Sequence, residues 1–417
     1  MARILAYTSP ARGHLYPLTP ILDELRSRGH QIALRTLSSE VELMRSRGFD
    51  CESLDPVVEG GHDDYLARTP QGALKRALRT FARRAEVDVP ATQAAIEQSA
   101  PDAVLVDVNT WGAQAVAEAS GLPWATWCPF PLPLSSPDVL PFGPGLAPAR
   151  GPLGRLRDAI LRPVLTTGYA RAFVPAVNQI RAQAGLAPLS GPMELYESTP
   201  LVLYLTAEPF EYPSPHWPEN IVMVGPCAWE PPSTPPDWLD RIERPIVLVT
   251  TSSEFQNDAR LVHCALEALS DEDVHVVATL PAQDPQSVEV PANAQVERFV
   301  PHGPVLERAV CAVTHGGMGA TQKALASGVP VCAVPFGRDQ LEVARRVEVS
   351  GAGSRLPARR LHPQRLRAKV RQAIACRPGA ERIASAFRSA GGATAAADAI
   401  EQRLLRAQIT SNSSTAA

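Results

Sequence analysis

The chain is poor in several features, and each shortage closes off a class of protein. Only Lys75, Lys323 and Lys369 are lysines among 40 basic residues, which 43 acidic residues outweigh to a net charge of -3. No global basic field exists to draw in nucleic acid or an acidic membrane. The preference for arginine reads as a GC-rich coding bias rather than as function. No apolar run approaches the ~20 residues that span a bilayer. Residues 1–7 read as a short strand rather than a cleaved leader with a long apolar region. The seven cysteines are scattered, odd in number and without a C-x-x-C pair, so they are expected as buried free thiols in a reducing cytoplasm. Asn412, Ser413 and Ser414 fit a glycosylation sequon, but without a leader they read as a polar tail. No fixed short repeat appears, which excludes solenoids and propellers.

What remains is an ordinary globular balance, 45% hydrophobic and 20% charged over 417 residues, suited to two domains of about 200 residues each. Short apolar runs alternate with helical spacing. Strands are expected at 3–8, 31–36, 103–108 and 123–126, with helices at 17–28, 39–47 and 112–120. The second half repeats the grammar: strands at 246–251, 274–279, 295–299, 309–314 and 331–334, with helices at 259–269 and 321–327. Such alternation predicts an α/β chain of two doubly wound parallel sheets. Between the halves, 226–236 carries the run Glu230-Pro-Pro-Ser-Thr-Pro-Pro, which regular elements cannot absorb. The expected division is therefore 1–225, a linker at 226–243, a second domain at 244–393, a terminal helix at 394–408 and a tail at 409–417. A second proline-rich stretch, 129–152, reads as a binding wall or lid rather than a plain connection.

The strongest local signal is Val313-Thr-His-Gly-Gly-Met-Gly-Ala-Thr321, a buried strand that turns into a helix. Gly316, Gly317 and Gly319 let backbone approach a ligand, and the free amides of the helix start suit a diphosphate. A lone glycine turn also occurs without any ligand, so context matters. The strand at 331–334 ends in Asp339 and Gln340, and ligands of open α/β sheets lie beyond such strand ends. Ser253 follows another strand, and Phe299 and Val300 end a third, where a ring can stack on a base. In the first half, His14 follows the first strand and Asp107 ends the 103–108 strand. Singly, His14 is a helix-start histidine and Asp107 an N-cap. As neighbours they form a base whose tautomer the carboxylate fixes.

These residues resemble the family-1 glycosyltransferases of GT-B fold, in particular bacterial macrolide and natural-product enzymes. The resemblance runs from Gly13-His14-Leu15-Tyr16-Pro17 to the pair Asp339-Gln340 and the Ala344–Gly353 segment, and is most specific over 296–340. It implies two Rossmann-like domains facing a cleft, acceptor on the first and nucleotide-sugar on the second, with the terminal helix packed back on the first. By the same resemblance His14 is the general base and Asp107 its partner. Ser253, His315, Gly316, Gly317, Gly319 and Ala320 hold the diphosphate, Phe299 and Val300 the base, and Asp339 and Gln340 the sugar hydroxyls. The implied reaction is an inverting, metal-independent transfer from a UDP- or TDP-sugar to a hydroxyl of a small lipophilic aglycone. The donor is a co-substrate, so no cofactor is expected. The protein is expected to be cytoplasmic, a monomer or homodimer, with no nucleic-acid partner and no membrane span.

Three positions depart from the family pattern: Lys323 stands where many members carry a ribose-binding Glu, Ala320 where many carry Ser, and Val343 where Asn is frequent. They leave the nucleotide open between UDP and TDP. On the acceptor side, Trp111, Phe130, Phe142 and the 60–84 segment suit a bulky apolar aglycone, with core packing the alternative for Trp111. Arg76, Arg79, Arg83 and Arg84 read as a solvated helix face. Two rival readings are a catalytically silent binding or activator protein of the same fold, and an epimerase or hydrolase of nucleotide sugars.

Overall fold

The short apolar runs become two separate parallel sheets in the computed structural model, which describes residues 1–60, 63–67, 69–133, 139 and 142–405. The first holds β1 (Arg3–Tyr7), β2 (Gln31–Thr36), β3 (Asp50–Ser53), β4 (Ala103–Asp107), β5 (Trp124–Cys128), β6 (Val202–Tyr204) and β7 (Ile221–Met223). Their order is β3-β2-β1-β4-β5-β6-β7, so the chain reverses direction between β1 and β4. The second holds β8 (Ile246–Thr250), β9 (His275–Thr279), β10 (Ala294–Glu297), β11 (Ala309–Thr314), β12 (Val331–Ala333) and β13 (Gly353–Arg355), in the order β10-β9-β8-β11-β12-β13. The reversal here falls between β8 and β11. Ligands of open sheets bind at such reversal points, beyond the carboxyl ends of the strands. His14 and Asp107 lie at the first, and Thr250 to Ser253 with His315 at the second.

Both sheets are apolar on two faces because helices cover both, which is why the central strands read as continuous Val/Ile/Leu/Ala runs. All of β4 and β8 is buried. The helix Gly392–Ile400 belongs to the second half by sequence but packs on the first. Ala396, Ala397 and Ile400 enter the same core as Leu18, Leu22 and Leu25 of the helix Arg12–Ser27. Arg28 bonds Asp398 at 2.6 Å and Glu401 at 2.9 Å across that contact. Residues from 406 onward, including the expected tail, lie outside the described residues.

Three expectations need correction. The first helix starts at Arg12, not at residue 17, so His14 occupies its first turn. Pro17 and Pro20 lie inside this helix, and each forgoes the N–H that would reach the carbonyl four residues earlier, a cost the helix carries. Two long helices, Pro70–Ser99 and Gly151–Gln183, run through internal prolines (Pro90, and Pro163 with Pro175) that concealed them. Within the proline-rich stretch the second of these helices begins at Gly151 and residues 142–150 carry no regular element, while 134–138, 140 and 141 lie outside the described residues.

The wall behind Asp107 is held by a close helix crossing. At Gly112 a Cβ would lie 2.6 Å from the Ala85 carbonyl and 2.8 Å from the Asp88 Cβ. Gly112→Ala is therefore expected to destabilise by about 1–3 kcal/mol through overpacking, more than the ~1 kcal/mol that helix propensity returns. Calorimetry checks it: a melting temperature equal to or above wild type would remove this contact as a constraint.

Candidate active site

The first half contributes an ordered histidine. Asp107 ends β4 with no solvent exposure, and its carboxylate accepts from His14 Nδ1 at 2.8 Å and from the Asn109 amide at 2.8 Å. The bond fixes Nδ1 as the protonated nitrogen, so Nε2 carries the lone pair. Nε2 has no protein partner among the described residues. The Trp127 indole donates to the His14 carbonyl at 3.3 Å, and the Phe130 ring lies 5.7 Å from the imidazole. Burial pulls the His14 pKa down, but Asp107, through charge and hydrogen bond, outweighs it, and Glu254 and Asp339 from the second half add to the rise. The net shift is upward from 6.5.

The second half contributes a cradle. Gly316 has φ +86°, and a Cβ there would sit 3.1 Å from the Gln340 carbonyl, so this turn lies directly against the one after β12. At Gly317 a Cβ would meet His315 Nε2 at 2.3 Å, so only glycine leaves room for the imidazole. The helix Met318–Ala326 makes its first internal bond from Thr321 to Gly317, which leaves the amides of Met318, Gly319 and Ala320 without intrahelical acceptors. His315 is buried, and its Nδ1 has no hydrogen-bond partner. Burial, aided by Arg338, lowers its pKa against the pull of Asp258 and the Thr250 backbone, so it is a neutral imidazole. An orphaned ring nitrogen beside free amides fits an anionic oxygen-rich ligand.

Asp339 follows β12 and lies within electrostatic reach of His14. Burial pushes its carboxyl up to about 6, against the counter-pull of its own backbone amide, Arg338 and His14. Ser253 is exposed beyond β8, and Phe299, 54% exposed, projects from the loop after β10.

Several expected contacts are not made by side chains. Gln340 is buried, with Oε1 accepting from the Phe336 and Gly337 amides at 2.8 and 3.1 Å and Nε2 donating to Gln256 at 2.6 Å. Its amide shapes the turn that presents Asp339. Val300 is 1% exposed in the core beneath the second sheet, leaving only its backbone for a base. Trp111 packs on Phe81 and Phe173 at ring distances of 5.2 and 5.0 Å, so it is core rather than acceptor wall. Val343 is also core. Phe142 is half-buried beside Gly143, at the edge of the described loop. Lys323 bonds Glu230 of the linker at 2.8 Å.

Residues that sequence reasoning missed bridge the halves. Arg338, at φ +51°, holds Asp64 with Nε and Nη2 at 2.9 Å each and Glu254 with Nη1 at 2.8 Å. Glu342 accepts from the amides of Gly143 and Gly145 at 2.9 and 2.8 Å. Their positions on either side of the Asp339-Gln340 pair were the signal available; their partners, about 200 residues or more upstream, were not.

Residues 263–402 match the family model of the erythromycin biosynthesis protein CIII-like C-terminal domain. The chain is 33% identical to 4'-demethylrebeccamycin synthase of Lentzea aerocolonigenes over 388 residues, 89% of this chain and 92% of that protein. It is 31% identical to a PGL/p-HBAD biosynthesis rhamnosyltransferase of Mycobacterium bovis over 75% of this chain and 68% of that one. Among solved structures, the calicheamicin glycosyltransferase CalG4 superposes with a TM-score of 0.75 at 24% identity, covering 97% of this chain and 99% of that one. Glycosyltransferase VinC in complex with DTDP superposes with a TM-score of 0.71 at 23% identity, over 97% and 100% of the two chains. At those identities the structures speak to fold alone.

Two titrations follow. Asp107→Asn removes the charge that outweighs burial, so the His14 pKa is expected to fall below its wild-type value, read from imidazole NMR shifts against pH. An unmoved titration would break the pair. Asp339 charged is a burden on the folded protein above about pH 6, relieved as pH falls through that value. Asp339→Asn should therefore raise unfolding free energy at pH 7.5 by up to about 3 kcal/mol, with a smaller gain at pH 5. Denaturant melts at both pH values decide it, and equal gains would contradict the shift.

Proposed function

Because the chain belongs to the natural-product glycosyltransferases of GT-B fold, we propose that it transfers a sugar from a nucleoside diphosphate to a hydroxyl of a small lipophilic acceptor, with inversion. The observation that carries this reading is the His14–Asp107 pair, which leaves Nε2 without a partner among the described residues while the imidazole feels the charges of Glu254 and Asp339 from the second half. An acceptor hydroxyl is a weak nucleophile until its proton leaves as the new bond forms. His14 Nε2 takes that proton, and Asp107 stabilises the imidazolium. The acceptor oxygen bonds the anomeric carbon while the bond to the diphosphate breaks, so one displacement inverts the centre. The departing negative charge falls on the amides of Met318, Gly319 and Ala320 and on neutral His315, already oriented before the reaction. That arrangement supplies the stabilisation without calling on a metal ion. Asp339 takes a sugar hydroxyl as acceptor.

The departures at Lys323 and Ala320 leave two nucleotides in contention. VinC was solved with DTDP, and glycosyltransferase SsfS6 with thymidine diphosphate. Those proteins support trying TDP-linked donors first. Phe130 against the imidazole, with Phe142 on the facing loop, supports a flat apolar acceptor.

Thermal melts with TDP, UDP and GDP test the donor half: a nucleotide at 100 times its Kd stabilises by about 2.7 kcal/mol, a shift of several degrees in a chain of this size. No shift with any of them would sink the donor assignment. Transfer assays with TDP- and UDP-glucose and a panel of phenols, including 4-methylumbelliferone, test the rest. His14→Ala is expected to lose 10²–10⁴-fold in kcat while keeping the nucleotide shift. Donor consumed without an acceptor would favour the hydrolase or epimerase reading, and nucleotide binding without any turnover the silent binder.

A further inference from the structure

The sugar-reading turn carries a gripping side chain on each side of it. Arg338 precedes Asp339, and its guanidinium forks onto both oxygens of Asp64 in the turn Asp64–Leu66 of the first half. The remaining Nη1 holds Glu254, so the cation ties three loops together. The Tyr65 ring stands edge-on to Phe255 at 5.3 Å beside it. On the other side, Glu342 is 7% exposed and accepts from the amides of Gly143 and Gly145 with one oxygen. Its second oxygen takes Arg346 Nη1 at 3.2 Å, and Arg346 in turn donates through Nε to both oxygens of Glu211 at 3.0 and 2.9 Å. Arg345 Nε donates to the Gly145 carbonyl at 2.8 Å. The loop lies so close that a Cβ on Gly145 would meet the Leu341 carbonyl at 2.4 Å, and its φ of +58° already favours glycine.

We propose that Arg338 and Glu342 are positioning residues that fasten the two acceptor-side walls, the Asp64–Leu66 turn and the 142–147 loop, to the turn that presents Asp339. The proposal rests on the glycosyltransferase reading and deepens it. Both walls belong to the first half, where Arg157 Nη2 donates to the Ala147 carbonyl at 2.7 Å and the Asp64–Leu66 turn packs on the helix Pro70–Ser99, yet each is also bonded across to the second half. Those cross-half bonds come from Arg338 on one side of the Asp339 turn and from Glu342 and Arg345 on the other. A buried carboxylate satisfied by two amides and a guanidinium, and a guanidinium satisfied by two carboxylates, are both charge-assisted, and the first is shielded from water. The acceptor pocket is therefore shaped by the residues that flank the sugar reader. An acceptor bound between these walls is registered against the donor rather than against its own domain alone.

Glu342→Leu removes the acceptor of both amides, whereas Glu342→Gln keeps an oxygen for them and loses only the charge toward Arg346. Hydrogen–deuterium exchange on the full chain, without ligand, is the first readout. Glu342→Leu is expected to speed exchange across 142–149 at least tenfold with 64–66 unchanged, and Glu342→Gln to restore most of the protection. Asp64→Ala should do the reverse. Kinetics with the phenol that wild type glycosylates is the second. Each loosened variant should raise the acceptor KM about tenfold, leave kcat within threefold, and leave the TDP melting shift in place. Unchanged exchange, or a donor KM that rises with the acceptor KM, would overturn the fastening. Absence of a melting shift with TDP, UDP and GDP alike in wild type would instead mark failure of the glycosyltransferase reading, with the exchange result still deciding whether the loops are held by Glu342.

Discussion

A carboxylate with no access to water is tolerated only where every strong demand of its oxygens is met, and Asp107 is such a group. Its two oxygens are met by the Asn109 amide and His14 Nδ1. The first partner is local to the end of β4; the second comes from the start of the helix after β1. Because β1 and β4 are hydrogen-bonded neighbours, the sheet order itself delivers the pair. The bond then dictates which imidazole nitrogen is left to face the cleft. The sheet order thus brings the two groups together, and the buried carboxylate then sets the tautomer.

The second half works from the opposite electrostatic premise. Its anion cradle contains no free ammonium: His315 is held neutral by burial, and the positive character comes from amides at a helix start. Fixed dipoles need no rearrangement when charge develops on a leaving group, whereas a mobile lysine would. The crowding at Gly316 and Gly317 shows how tightly the turn is drawn to its neighbour after β12. Gln340 is spent on that same alignment.

The sheets and the central residues were legible in the sequence because their signals are local. The runs at 31–36 and 309–314 match β2 and β11 to the residue; Asp107 ends β4 and His315 follows β11, while His14 and Asp339 stand at the starts of the helices that follow β1 and β12. The long helices were hidden because internal prolines mimic a loop, and a tertiary contact along the helix outweighs the lost bond. β6, β7 and β13, at three residues each, were too short to show a period. The surroundings of Gln340 and Trp111 could not be read from residue type: only coordinates show that Gln256 bonds the first and that Phe173 packs on the second. Glu342 and Asp64 were invisible because their meaning lies in pairing across about 200 residues or more.

Lys323 illustrates how a departure from a family pattern changes meaning once its surroundings are known. As a sequence feature it put a cation where a ribose-binding carboxylate is frequent. In the structure its ammonium is bound to Glu230, whose oxygens also accept from the amides of His302 and Gly303 at 3.0 and 2.8 Å. The carboxyl is held below its ordinary range because Lys323 and these amides outweigh its burial. His302 beside it is pushed down to about 4, chiefly by burial and then by Lys323, so it too is neutral. The cation is thereby cancelled by the linker, and a charge reversal in the second half becomes an anchor between the linker and the nucleotide-side loops.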